Sequence, residues 1–263
     1  MQEWLNTILL GVIEGITEFL PISSTGHLII IQDFLNDSRS EFFNVGIQSG
    51  AVLAVVLIYW RKLIDLGLNW QKPEQRDYIL KLSAAFTITA VLGLTVKFFG
   101  AELPQSKEPV AWAVLIGALA IFAAESVLAK KQITDDILWK AALIIGAAQV
   151  LAGIFPGTSR SAATIIAAML LGVSRVKATE FSFLLGIPTM FAAGFVTLVS
   201  ALKEEGELPK GEFAHFVVGF LVSMIVAFIA VKWLLGFIQT HTFTPFAWYR
   251  LVLGLGLLGW IYL

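Results

Sequence analysis

Glu14-Gly-Ile-Thr-Glu18-Phe-Leu-Pro21-Ile-Ser23-Ser24-Thr25-Gly-His27 is the stretch that decides how this chain folds. It sits inside a region, 4–35, that is otherwise apolar. About 16 largely apolar residues lead into the polar, proline-containing part, and a shorter apolar run follows it. A bilayer core of ~30 Å takes about 20 apolar residues to cross as a helix, so neither run spans alone. Non-helical backbone at membrane depth is tolerated only when buried in protein or facing a wet cavity. The spacing therefore predicts a re-entrant hairpin, with a break at 20–27.

A second region, 138–171, has the same plan, broken at Phe155-Pro-Gly-Thr-Ser159-Arg160-Ser161. A shift of 135 positions lays Gly11 on Gly146, Glu14 on Gln149, Pro21 on Pro156 and Ser24 on Ser159. Six further stretches are long and apolar enough to span: roughly 41–60, 78–99, 108–129, 177–202, 211–237 and 244–262. Each half then reads as one broken hairpin and three spans. Three crossings is an odd number, so the second copy sits upside down. The expected fold is an all-α polytopic membrane protein, an inverted-topology repeat of six spanning helices and two re-entrant hairpins. It forms one membrane domain, 1–263, with repeats at 1–130 and 138–263. Such folds place their site where the broken segments meet.

Composition agrees. Of 263 residues, 57% are hydrophobic and 14% charged, and mean hydropathy is +0.82. A soluble domain needs more polar surface. Net charge is −1, which gives no basic footprint for nucleic acid. There is no cysteine, so thiolate chemistry and cysteine metal sites are excluded. The start, Met1-Gln-Glu-Trp-Leu-Asn6, lacks a basic segment, so a cleaved leader is not expected.

Loop charge sets orientation. The face built from 61–81, 130–140, 175–177 and 232 holds eleven of the 18 Lys and Arg residues, against five on the other face. The first face is then cytoplasmic, and both termini and the mouth of the first hairpin lie outside. The short acidic stretch 203–212 reads as an outer loop.

Ionisable groups inside a bilayer cost about 2.5–3.5 kcal/mol each on insertion scales, so they default to function. Glu14 and Glu18, four apart, share a helix face. Stacked carboxylates need a proton or a cation between them, or a structural partner. Hard divalent ions prefer such oxygen ligands. Ser23, Ser24, Thr25 and His27 put hydroxyls beside a histidine, the raw material of an activated nucleophile; capping of the next helix is the plainer role. Thr158, Ser159, Arg160, Ser161 and Thr164 surround a guanidinium that matches phosphate oxygens, at a helix start that favours anions. A structural pair of Arg160 with Glu14 or Glu18 is the alternative. Gln48 either reaches the site or bonds a neighbouring helix. Glu125, Glu180 and Arg250 are expected to snorkel toward the surface. His215 and His241 are assigned no role, and the tryptophans mostly flank spans.

Glu14 to His27 and Pro156-Gly-Thr-Ser-Arg-Ser-Ala-Ala-Thr164 are two long signatures in order. Gln48 in Val-Gly-Ile-Gln-Ser-Gly, Glu180-Phe-Ser-Phe-Leu-Leu and Pro245-Phe-Ala-Trp-Tyr-Arg250 support them. On these the chain resembles, over its full length, the bacterial undecaprenyl diphosphate phosphatase family, known also for bacitracin resistance. The resemblance implies that undecaprenyl diphosphate, left outside after cell-wall polymer synthesis, is converted to the monophosphate and inorganic phosphate. It implies a site open to the outer face of the cytoplasmic membrane. Glu14 and Glu18 become the acidic pair tied to a divalent cation, Mg²⁺ or Ca²⁺. Ser24 becomes the favoured nucleophile, with His27 as acid or base, and Ser159, Arg160 and Thr164 hold the diphosphate. Ser23, Thr25, Ser161 and Gln48 complete the expected substrate contacts, and a homodimer is one option for the assembly. Direct attack by metal-activated water stays open beside the phosphoseryl route. So does a transporter built on the same repeat plan.

Overall fold

The computed structural model describes residues 1–99, 106–205 and 212–262. Ten helices follow in order: α1 (Gln2–Thr17), α2 (Ser24–Leu35), α3 (Glu41–Leu68), α4 (Pro73–Phe98), α5 (Lys107–Leu128), α6 (Trp139–Ile154), α7 (Arg160–Leu170), α8 (Arg175–Glu205), α9 (Glu212–Phe237) and α10 (Thr244–Tyr262). Among the described residues the only β pairing is one isolated bridge, Thr134 to Val173. The chain is an all-α polytopic membrane protein.

Helices α3, α4, α5, α8 and α9 are long and apolar enough to cross a bilayer. The remaining long helix, α10, has 19 residues and carries Arg250 in its first half. Two spans outrun their expected limits. Helix α3 continues past Trp60 through Arg61 and Lys62 to Leu68, and α4 starts at Pro73, where the ring pre-sets the first turn. Charged residues extend a helix into the interface at no cost in burial. The outer loop expected at 203–212 falls largely outside the described residues.

The two short pairs, α1–α2 and α6–α7, hold 16, 12, 16 and 11 residues. None of the four can cross a ~30 Å core at 1.5 Å per residue. Their breaks match in backbone detail. Ser23 (φ 77°) and Ser159 (φ 69°) are two of only three non-glycine residues with positive φ among those described. Each caps the following helix: Ser23 Oγ accepts from Gly26 N at 3.2 Å, and Ser159 Oγ accepts from Ala162 N at 3.3 Å. This register corrects the sequence match by one residue. Ser159 corresponds to Ser23, not to Ser24, because the second break carries an extra residue, Gly157 (φ 98°), after its proline.

Packing repeats in the same crossed fashion. Helix α1 lies on α9, and α6 lies on α4. A Cβ added to Gly11 would sit 2.9 Å from Gly219 O, one on Gly15 2.7 Å from Ser223 O, and one on Gly146 2.4 Å from Ala85 O. Lipid tails are as apolar as leucine, so helices in a bilayer associate through such close backbone approach. Each hairpin thus docks its first helix on the middle one of the three long helices that follow the other hairpin.

Charges gather at the two ends. At one end Lys62 pairs with Glu180, and Arg175 grips Glu125 through Nε at 2.9 and 3.0 Å and through Nη2. Glu125 is buried and also accepts from Phe243 N at 2.7 Å. Neither acid snorkels; each is neutralised by a partner on another helix, and Glu125 also satisfies a backbone donor. At the other end Asp37 takes Asn6 Nδ2 at 2.7 Å and Arg39 Nη2 at 2.8 Å. His215 is not idle either. It stacks on Trp4 with ring centroids 4.1 Å apart and shares a 2.8 Å hydrogen bond with Thr7, tying α1 to α9.

Gly146→Val is expected to lower stability by about 1–3 kcal/mol through overpacking against α4. Gly236→Ala, whose added Cβ meets nothing within 4 Å, is expected to stay within about 0.5 kcal/mol. Thermal melts in detergent compare the two; a Gly146→Val protein as stable as wild type would remove the close-packed seam from the account.

Candidate active site

The hairpin tips meet. Glu18 follows the last turn of α1, its N–H bonded to Glu14 O at 2.9 Å, so the two carboxylates stack one turn apart as their spacing requires. Glu18 Oε2 accepts from Ser24 Oγ at 2.5 Å. Glu18 Oε1 accepts from Arg160 Nη2 at 3.2 Å, across 142 residues of sequence. One acid of the first break therefore holds the hydroxyl of its own hairpin and the guanidinium of the other.

Arg160 is only partly used by this pair. Its Nε and Nη1 have no hydrogen-bond partner. The guanidinium lies over the Phe19 ring, 5.4 Å from the centroid, and against Gly186 of α8. A Cβ on Gly186 would fall 2.1 Å from Arg160 Nη1, so only glycine leaves the arginine this berth. Glu14 is fully buried and neither carboxylate oxygen has a partner. The site thus holds unmet donors on one side and unmet acceptors on the other.

A cavity of about 980 Å³ opens beside these groups. Glu18, Ser23, Ser24, Thr25, Gln48, Ser159 and Arg160 line it. Ser161 and Thr164 do not. Ser161 Oγ bonds Leu20 O at 3.1 Å, joining the second break to the first. Thr164 Oγ1 lies 2.9 Å from Arg160 O and 2.5 Å from Ser182 Oγ, and both Ser161 and Thr164 are fully buried. They brace the break rather than face a ligand. His27 is also apart from Ser24. Its Nδ1 is 2.6 Å from Ser23 O and its Nε2 is 2.6 Å from Tyr249 OH, so both ring nitrogens are engaged. In this geometry the group positioned to take the Ser24 proton is Glu18, not His27.

Arg250 departs furthest from expectation. It does not snorkel; it is fully buried. Its guanidinium donates to five backbone carbonyls: Val114 and Ala113 of α5, Pro21 of the first break, and Gly157 and Thr158 of the second, at 3.0–3.2 Å. Gly117 makes room, since a Cβ there would lie 1.9 Å from Nη2.

Against known families, residues 7–256 match the model described as Bacitracin resistance protein BacA. The chain belongs to this family. It is 54% identical over 259 residues to a protein of Rhizobium etli named undecaprenyl-diphosphatase, covering 98% of this chain and 97% of that one. It is 49% identical over 262 residues to proteins of the same name from Xylella fastidiosa and Xanthomonas oryzae, with 99% of this chain covered and 100% and 98% of theirs.

In this BacA-family chain no cluster of three or more His, Cys, Asp or Glu side chains exists among the described residues. Glu14, with both oxygens orphaned, and Glu18 nonetheless fit the hard-cation pattern of one or two carboxylates plus substrate oxygens. Sequence reasoning gave Gln149 no role beyond its match to Glu14. It lines the cavity, and its Nε2 donates to Thr89 Oγ1 at 3.0 Å and Thr189 Oγ1 at 3.1 Å. Its place in the repeat, opposite Glu14, was the available signal.

Arg250→Met is expected to destabilise the protein more than Arg160→Met. The first leaves the break carbonyls of Pro21, Gly157 and Thr158 without their donor, at about 1–3 kcal/mol for each one left unsatisfied, while Ala113 and Val114 keep their helical partners; the second removes a guanidinium with two nitrogens already unpaired. Melting midpoints of the two variants in one detergent decide it, and the reverse order would refute the clamp.

Proposed function

We propose that this protein hydrolyses undecaprenyl diphosphate to undecaprenyl phosphate and inorganic phosphate at the outer face of the cytoplasmic membrane, returning the lipid carrier and supporting bacitracin resistance. One observation carries the reading: in one cavity Glu18 accepts from the Ser24 hydroxyl of its own hairpin and from the Arg160 guanidinium of the other. A hydroxyl held by a carboxylate beside a guanidinium suits a phosphoryl group against both. The repeats 1–130 and 138–263 each contribute one half of this constellation.

In the proposed reaction Glu18 takes the Ser24 proton as Oγ bonds to the terminal phosphorus. The bond from that phosphorus to the bridging oxygen breaks, and undecaprenyl phosphate departs with the electron pair. Water then attacks the phosphoserine, and a proton returns to Ser24 Oγ from Glu18 while Glu18 takes one from the attacking water. Phosphate leaves, and Glu18 keeps no net proton once it releases that one to the departing phosphate. Arg160 neutralises charge on the phosphoryl oxygens throughout, the main task in phosphoryl transfer. The free N–H groups at the start of α7 add to it. A divalent cation, Mg²⁺ or Ca²⁺, would be held by Glu14 and Glu18 and would supply further positive charge to those oxygens. His27, bonded to Ser23 and Tyr249, orients the nucleophile turn.

Phosphate release from purified protein in detergent is the direct test. Glu18→Gln is expected to lose about 10²–10⁴-fold in kcat as a general base, and Arg160→Ala about 10²–10³-fold as a charge stabiliser. A chelator should abolish release, and Mg²⁺ or Ca²⁺ should restore it. Ser24→Ala retaining substantial turnover, with no labelled phosphate trapped by rapid quench, would replace the phosphoseryl route with direct water attack. No release from wild type, together with leaflet-to-leaflet movement in sealed vesicles, would make the protein a transporter.

Orientation is tested separately. The chain has no cysteine, so single cysteines at Gln2 and Gln71 report cleanly. An impermeant thiol reagent added to intact cells should label the first and spare the second.

A further inference from the structure

The seam between α4 and α6 is closed at one end and open at the other. Toward its closed end Thr89 Oγ1 donates to Gly146 O at 2.8 Å, and an added Cβ on Gly146 would press Ala85 O. One to two turns further along, Gly93 of α4 and Gly153 of α6 face a gap. A Cβ on either would meet no atom within 4 Å, and both residues line the cavity that holds Glu18 and Arg160. Helix α6 stops at Ile154 while α4 runs on to Phe98. In the seam between α1 and α9, Gly11 and Gly15 both press on α9 backbone, as Gly146 presses on α4.

Two facts say what the gap admits. Its lining is largely apolar: Val96 lies near Gly93, and Ala152 and Ile154 flank Gly153. In a spanning segment such surface suits lipid tails, not water. Within the same cavity Gln149 is 4% exposed, and its Oε1 has no partner. The amide cannot turn round without loss, because Thr89 and Thr189 spend their own protons on backbone carbonyls and must accept from Nε2. The cavity is therefore polar toward Glu18 and Arg160 and largely apolar along Gly93, Val96 and Gly153, with Lys97 a charged group in the same lining; this is close to the polarity of a single-tailed lipid phosphate.

We propose that the gap at Gly93 and Gly153 is the channel through which the isoprenoid tail of a bound lipid diphosphate passes from the cavity into the bilayer. The proposal rests on the phosphatase reading for the identity of the head group. It makes Gly93 and Gly153 determinants of chain-length selectivity, because each has open space beside it that a bulky side chain would fill.

The test uses full-length protein with Gly93→Trp or Gly153→Trp, and Gly236→Trp as a control on another helix with equally open surroundings. The ratio of kcat/KM for undecaprenyl diphosphate to that for geranyl diphosphate is the readout. It should fall at least tenfold in the first two variants, mainly through KM for the long substrate, and hold in the control. An unchanged ratio, or an equal fall in Gly236→Trp, would overturn the proposal. If wild type hydrolyses neither substrate, the phosphatase reading fails and a second measurement judges the channel. A long-chain prenyl phosphate with a diazirine on its tail is photolysed in nanodiscs with excess phospholipid. Adducts on α4 and α6 support the channel. Adducts concentrated on α3, α8 and α9, or spread over the lipid face, refute it.

Discussion

A helix that breaks inside a bilayer leaves carbonyl groups with no water to meet them, and everything at this site depends on how that debt is settled. Arg250 settles it for both breaks at once. Five carbonyls from three separate segments converge on one guanidinium. A neutral donor could satisfy one or two; the planar fork with five N–H groups satisfies all of them. The charge is offset by carbonyl dipoles rather than by an acid. The clamp therefore fixes the distance between the hairpin tips without drawing on Glu14 or Glu18.

That independence leaves the acids available. The Glu18–Arg160 pair is buried and joins the two halves, but a buried ion pair is a poor source of stability because desolvation offsets the attraction. It reads better as a preset charge arrangement. Positive-φ serines at both tips add strain of order 1–3 kcal/mol each, tolerated because caps, the Ser161–Leu20 link and the Arg250 clamp hold the tips on every side. Preorganised charge is worth most where no reorganisation is needed at the moment of reaction.

The sequence announced the two broken hairpins and the spans through length and apolarity alone, since a bilayer sets a hard length requirement. It also announced the meeting of Glu18 with Arg160, because a buried guanidinium and a buried carboxylate in repeated breaks had few other partners. What it concealed depended on direction. Arg250 lies two turns into an apolar helix, where snorkelling and inward pointing give the same pattern of letters. Ser161 and Thr164 sit in a hydroxyl-rich signature with Ser159, and only helical rotation separates those that face the cavity from those that brace it. Ser24 and His27 are close in sequence, yet the turn at Ser23 sends one to Glu18 and the other to Tyr249. The one-residue error in matching the breaks had a similar origin: an extra Gly157 is invisible to a fixed offset.

Gly186 has a consequence beyond its own helix. It belongs to a long spanning helix, and its letter is unremarkable among many apolar neighbours. Yet the hydrogen it carries in place of a methyl group is what lets the guanidinium of Arg160 lie flat between that helix and Phe19. The two positions are bound to one another: an alanine at 186 would push the guanidinium off Phe19 toward the cavity it borders. A residue with no chemistry of its own thus sets where the charge of another one rests.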